Sequence, residues 1–216
     1  MHKEAVDELL INGLKILDIS FTKTQITAFL TYLEELKKWN RAYNLTAIKT
    51  DKEIIIKHFL DSLLFGKVMP PAVQSVADIG SGAGFPGIPL KIIYTDLKMF
   101  LIEPVKKKAL FLQHIGTKLN LDNIEVIDKR IEEIENLKVD AAVTRALFSI
   151  KDFIDKAGNI LKQDGILVLS KGPKLEEELK EVGGENVVIK DLKLPNLNLI
   201  RHLVIVKLSG HRPESF

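Results

Sequence analysis

The chain contains no cysteine in its 216 residues. That excludes a disulfide framework, a thiolate metal site and a cysteine nucleophile. Its histidines, His2, His58, His114, His202 and His211, are scattered without metal-ligand spacing, so no metal is expected. No apolar run approaches the roughly 20 residues that cross a bilayer. The first residues, Met1-His-Lys-Glu-Ala-Val-Asp7, are polar and lack the apolar core of a signal peptide. The expectation is a soluble, cytoplasmic protein with no membrane partner. Neither sign of charge dominates, with 31 basic and 29 acidic residues and a net charge of +2. Any nucleic-acid surface must therefore be a local patch rather than a global field. Nothing in the sequence demands more than a monomer.

What is present suits one medium domain with an appendage. Residues 4–17 carry Val6, Leu9, Leu10, Leu14 and Leu17 at helical spacing. Thr22 with Gln25 makes a capping-box signature before a second helix, expected to end near Trp39 and to be followed by a polar connector, Asn40-Arg-Ala-Tyr-Asn-Leu-Thr46. Thr50 with Glu53 repeats the signature and opens a third helix at about 51–65. Residues 1–66 thus read as a helical cap. After Pro70-Pro71 the pattern alternates between strands and helices. Strands are expected at 75–79, 98–102, 124–127, 139–143, 165–170, 186–190 and 202–207, and helices at 87–94, 105–119, 149–161 and 174–182. Residues 70–208 therefore read as a Rossmann-like, doubly wound α/β sheet of seven strands. No long helix separates the last two strands, so they can pair antiparallel. Residues 209–216 read as a flexible tail.

The first of these strands runs into Asp78-Ile-Gly-Ser-Gly-Ala-Gly-Phe-Pro-Gly-Ile-Pro-Leu90. Glycines at 80, 82, 84 and 87 suit a tight turn with close backbone approach by a ligand. Pro86 and Pro89 suit a starting helix, whose N–H groups and dipole favour anionic groups. Glu103 ends the second strand, 21 residues beyond Gly82, where a carboxylate can accept from two ribose hydroxyls. Loop and acid together read as a site for a ribose-bearing cofactor. Gly82-x-Gly84-x-x-Gly87 fits the dinucleotide fingerprint. However, Asp78 at the loop's root opposes a pyrophosphate and tolerates a cationic ligand such as S-adenosylmethionine. The methyl-donor reading fits better, with a nicotinamide dinucleotide as the alternative. A non-catalytic RNA-binding platform is a third reading.

At this point the chain resembles the bacterial rRNA small-subunit methyltransferase G family, also called glucose-inhibited division protein B. The resemblance rests on the glycine loop together with Trp39-Asn-Arg-Ala-Tyr-Asn-Leu-Thr46, His58-x-x-Asp61-Ser62, Lys107-Lys108-x-x-Phe111-Leu112, Arg145-Ala146, Lys171-Gly172 and Arg201-His202-Leu203. It implies a class I methyltransferase sheet and S-adenosylmethionine as donor. It further implies methylation of guanine N7 in 16S rRNA, at guanine 527 of the 530 loop. Carried over, it places Asp78, Gly80, Gly82, Gly84 and Phe85 in the cofactor loop and Glu103 on the ribose. Pro104 and Val105 come beside the adenine, and Ile131, Glu132 and Arg145 follow later strands. Where many relatives have Asp at the ribose position this chain has Glu103, which keeps the carboxylate. It also departs from some relatives at Ala83 and Phe85.

The residues agree with that chemistry. Methylation at a pyrimidine C5 needs a cysteine, and methylation of an exocyclic amine commonly uses an Asn/Asp-Pro-Pro-aromatic loop. The sequence has neither; its Pro-Pro lies before the cofactor loop in another context. Guanine N7 has a free lone pair and no proton to lose, so no catalytic base is expected. RNA contact falls to Arg130, Arg145, Lys171, Arg201 and His202, with Lys129 and Lys174 as further candidates. Lys106-Lys-Lys108 is either RNA-binding or a solvated helix start. Trp39 and Tyr43 are either base-stacking groups or interdomain packing, Asn40 and Asn44 either turn-formers or substrate contacts, and His58 with Asp61 either a structural pair or a substrate group.

Overall fold

The computed structural model describes residues 3–145, 147–172, 175–182 and 186–208. The expected tail at 209–216 and Lys174 lie outside the described residues. Helix α1 spans Lys3–Ile16 and α2 spans Lys23–Tyr43. The capping box at Thr22 is formed: its hydroxyl accepts from the Gln25 N–H, and Gln25 Oε1 accepts from the Thr22 N–H. Helix α2 does not stop at Trp39. Its last turn takes in Asn40 to Tyr43, and Asn44, at φ 51°, terminates it in the left-handed region. Asn is among the few residues that tolerate that conformation. The third helix falls where expected but is not uniform. It comprises α3 (Asp51–Ile54), a π-helical stretch (Ile55–Leu60) and α4 (Asp61–Leu63). Such wide turns insert an extra residue per turn and concentrate at functional sites.

Seven strands follow: β1 (Ser75–Ile79), β2 (Lys98–Ile102), β3 (Ile124–Ile127), β4 (Val139–Arg145), β5 (Leu161–Lys171), β6 (Val187–Lys193) and β7 (Ile200–Lys207). The intervening helices are α5 (Gly87–Ile93), α6 (Lys106–Lys118), α7 (Ile150–Ala157) and α8 (Leu175–Glu181). The sheet order is β3-β2-β1-β4-β5-β7-β6. The first five strands are mutually parallel, and β7 runs antiparallel to both β5 and β6. Strand β1 is buried along its whole length, as parallel central strands are. Strand β5 begins four residues earlier than expected. Asp164 adopts φ 62° beside Gly165, and the register slips between Val139 and Ala141, so an irregular lead-in still pairs with β4.

Side chains alternate between two cores. Val76, Met99, Leu101, Val143 and Val168 face the core that also contains Leu10, Phe29, Phe59 and Leu60 of the N-terminal helices. Ala77, Phe100, Ala142 and Leu167 face the other core with Phe153 and Ala157 of α7. The helical cap therefore shares its interior with one face of the sheet. The chain order reverses at β1, which lies between β2 and β4, and this makes a crevice at the carboxyl ends of the strands.

Candidate functional site

The glycine loop fills that crevice and is held from below by its own residues. Asp78 is fully buried, and its Oδ2 accepts from the Gly87 N–H at 2.8 Å. The first N–H of α5 is thus occupied by an internal carboxylate and is not open to a ligand. Burial pushes Asp78 up to about 7, against the Gly87 N–H and the Arg145 charge, which favour ionisation. Its Oδ1 has no hydrogen-bond partner. Asp78, expected among the cofactor-binding residues, turns its carboxylate to Gly87 and shapes the loop from beneath. Ser81 turns the loop by donating to Asp78 O and accepting from the Gly84 and Phe85 N–H groups. The Phe85–Pro86 peptide is cis.

From above, the loop is gripped by α2. Tyr32 is fully buried, and its hydroxyl donates to Ala83 O at 2.5 Å. A Cβ at Gly84 would meet that hydroxyl at 2.7 Å and Ile88 at 2.6 Å, at a φ of 97°, so only glycine fits. Tyr32 stacks on Phe59, Phe85 and Phe111 with centroids 5.1, 5.5 and 6.3 Å away. Gln25 Nε2 donates to Ile92 O and Ile93 O at the far end of α5.

Glu103 follows β2, between the cleft-lining residues Ile102 and Pro104, and is 3% exposed. Its Oε2 accepts from the Gly82 N–H at 2.8 Å and its Oε1 from the Val105 N–H at 3.0 Å. Each oxygen keeps a second lone pair. A cleft of about 310 Å3 opens beside it, lined by Gly80, Pro104, Ile131, Glu132, Leu147 and Phe148 among others. Four of the residues expected to hold a cofactor, from the ends of three different strands, meet in this cleft. Arg130, expected to bind substrate, lines the same cleft. Val105 exposes 41% of its surface and contributes through its backbone. Glu132 is ion-paired with Lys156, another lining residue.

Arg145 and Arg201 point elsewhere. Arg145 Nη1 donates to Lys57 O at 3.0 Å and lies 3.5 Å from Asp61 Oδ2, while Nη2 lies 2.8 Å from His58 Nδ1. A guanidinium only donates, so His58 Nδ1 accepts and the ring proton sits on Nε2, 2.8 Å from Thr46 Oγ1. Burial, and then the Arg145 charge, hold His58 down to about 3. Its ring stacks on Phe85 at 4.3 Å, and the Arg145 guanidinium lies 5.1 Å from the same ring. Arg201 Nε donates to Asp61 Oδ1 at 2.5 Å. Asp61, only 2% exposed, therefore ties β4 and β7 to the cap.

A chain whose loop, acid and cleft are built this way has clear relatives. The model of the rRNA small subunit methyltransferase G family matches residues 25–204. The chain belongs to that family. The ribosomal RNA small subunit methyltransferase G of Thermoanaerobacter sp. (strain X514) is 37% identical over 224 residues, covering 97% of this chain and 92% of its own. That of Neisseria meningitidis serogroup C is 34% identical over 203 residues, covering 92% and 97%. Among solved structures, M. jannaschii TYW2 in complex with AdoMet superposes with a TM-score of 0.53 at 18% identity, over 69% of this chain and 74% of that one. This last likeness bears on the fold, that of a class I methyltransferase.

Within this family member the expected basic rim is largely redirected. Lys171 has a side chain only 7% exposed, donates to Phe148 O and pairs with Glu178 of α8 at 2.6 Å. It is a buried internal tie whose ammonium group is taken up by Phe148 O and Glu178. Arg145 and Arg201 grip Asp61 and the cap, with side chains 19% and 29% exposed. His202 Nδ1 is 2.7 Å from Asp191. The family motif pattern located these residues but not their partners. Trp39 packs against Phe111 and His114 at 5.5 and 5.0 Å, and Asn40 exchanges two hydrogen bonds with the Thr46 backbone. Packing and turn-forming are what the structure shows for this pair. Tyr32, Thr46 and Leu147 were not singled out in the sequence. A tyrosine midway along an amphipathic helix reads as ordinary core, so no local signal marks Tyr32.

Proposed function

We propose that the chain transfers a methyl group from S-adenosylmethionine to N7 of guanine 527 in the 530 loop of 16S rRNA. Membership of the rRNA small subunit methyltransferase G family across residues 25–204 carries this reading. The site fits the donor in three ways. Glu103 presents two oxygens with lone pairs to spare, toward ribose hydroxyls. Ile131, Leu147, Phe148 and Pro104 offer an apolar slot for adenine, with Glu132 at its edge. Gly80 and Gly82 are half-buried and leave bare backbone for a ligand, while Gly84 packs under Tyr32 and Asp78 fixes the loop's shape.

The donor supplies an electrophilic methyl on a sulfonium. The acceptor lone pair needs no deprotonation, so the protein's task is alignment and exclusion of water. Holding two reactants in line contributes up to roughly 7–11 kcal/mol in favourable systems. His58, the obvious base by residue type, has both ring nitrogens engaged, which suits a reaction without one. Residues 1–66 act as the cap and 70–208 as the catalytic unit. Arg130, and the exposed parts of Arg201 and His202, serve the RNA. The enzyme works as a cytoplasmic monomer without a metal.

Incubating the protein with radiolabelled donor and small subunits lacking the modification tests this. Label is expected in 16S rRNA, with strand scission at one N7-methylguanine in the 530 loop. Absence of label in small-subunit rRNA, or binding of NADH in place of the donor, would overturn the reading.

A further inference from the structure

A second concavity lies on the cap, between the last turns of α2 and the segment 44–54. Its volume is about 370 Å3, and its lining includes Lys37, Asn40, Arg41, Asn44, Thr46 and Lys49. That is within the range of ligand sites, which start near about 300 Å3. Its charge is one-sided. Lys37 pairs with Asp51 at 2.5 Å. Arg41 and Lys49 are exposed and form no ion pair among the described residues. In a chain whose basic and acidic residues nearly cancel, two cations without an ion pair beside one concavity are a local excess.

The walls are also fixed in place. Asn40 Nδ2 donates to Thr46 O at 3.0 Å, and Asn40 Oδ1 accepts from the Thr46 N–H at 2.8 Å. The Lys37–Asp51 bridge ties α2 to the first residue of α3. The backbone that carries Arg41 and Lys49 is therefore held in place before an anion arrives. Thr46 extends the wall inward: its Oγ1 meets His58 Nε2, and the His58 ring stacks on Phe85 of the glycine loop. Through these contacts the concavity reaches the glycine loop, while its lining residues differ from those of the cleft.

We propose that this concavity takes a stretch of the rRNA sugar–phosphate backbone, with Arg41 and Lys49 on its phosphates, while the acceptor guanine meets the methyl group of the donor held at the glycine loop. The inference rests on the rRNA reading above and adds a second point of grip. Phosphate contacts show themselves in salt dependence. Each one lost lowers the slope of log affinity against log salt by roughly 0.7–0.9.

The test is binding of a small-subunit rRNA fragment across a salt series, with KM for small subunits and donor affinity measured in parallel. Arg41→Gln/Lys49→Gln is expected to lower the slope by about 1.5, to raise KM and to leave donor affinity unchanged. Lys15→Gln/Lys190→Gln removes the same charge from two exposed lysines outside the concavity. If the first variant keeps the wild-type slope, or if both variants lose equally, the concavity does not hold RNA. If wild-type protein itself neither binds nor methylates small-subunit rRNA, the proposed function fails, and this inference fails with it.

Discussion

Two buried aspartates stand under the same crevice and are held in opposite ways. Asp78, 0% exposed, is satisfied by a backbone N–H nine residues along the chain and has one oxygen without a partner. Asp61, 2% exposed, is satisfied by Arg145 and Arg201, which lie 84 and 140 residues away. The first makes a loop. The second makes a joint between the cap and the two strands that finish the sheet. One residue type at one depth thus does local and global work, according to whether its partners are backbone amides or guanidinium groups.

The largest expected effect breaks the joint. Asp61→Ala leaves two guanidinium groups in a largely buried crevice without their anion. Removing one partner of a buried ion pair costs about 3–5 kcal/mol, and partial exposure of the arginines favours the lower end. Urea unfolding should show a loss of roughly 3 kcal/mol. A loss below about 1 kcal/mol would mean that the arginines are well solvated and the joint is weak.

A smaller effect, local to the loop, comes from Glu103. A hydrogen bond to a charged group is worth about 1.5–3 kcal/mol, so Glu103→Ala should weaken donor binding by roughly 10- to 100-fold in calorimetric titration. Glu103→Gln, which retains an acceptor, should fall between variant and wild type. Equal donor affinity in wild type and Glu103→Ala would remove Glu103 from the ribose.

The smallest net effect in the unaltered chain comes through pH, because two buried groups there work against each other. His58, held to about 3 when folded against 6.5 when free, contributes stability that is complete above pH 6.5 and is lost as pH falls toward 3. Asp78, at about 7 against 3.8, contributes stability that is complete below pH 3.8 and is lost as pH rises to about 7. Between roughly pH 4 and 6.5 the two slopes oppose each other. Relative to wild type, Asp78→Asn should become less stable as pH falls across that window, and His58→Gln should become more stable. Urea midpoints measured at half-unit steps check this. Curves parallel to wild type in both variants would show that neither group carries the linkage.

Much of the fold was legible because its signals are short-range. The Thr22–Gln25 box, the strand at 75–79 ending in glycines and the acid 21 residues on from Gly82 are each set by neighbouring residues. The end of α2 was misplaced because Asn40-Arg-Ala-Tyr43 is polar; its exposure and the Asn44 cap let the helix continue. The internal partners of Lys171 and Arg145 were illegible for a different reason. A cation near a strand end looks the same in sequence whether it faces a phosphate or, like Lys171, a glutamate on the following helix.

The sequence by itself determined the alternation of strands and helices, the glycine loop with Glu103 and, through its separated motifs, the family. These depend on periodicity and on groups whose partners lie a few residues or one strand–helix unit away. Only the tertiary structure decided that Asp78 faces its own loop, that Tyr32 closes over it and that Thr46, His58, Arg145, Asp61 and Arg201 form one connected network. Those partners are brought together by burying the cap against the sheet, and desolvation at that shared core then fixes which charges must pair.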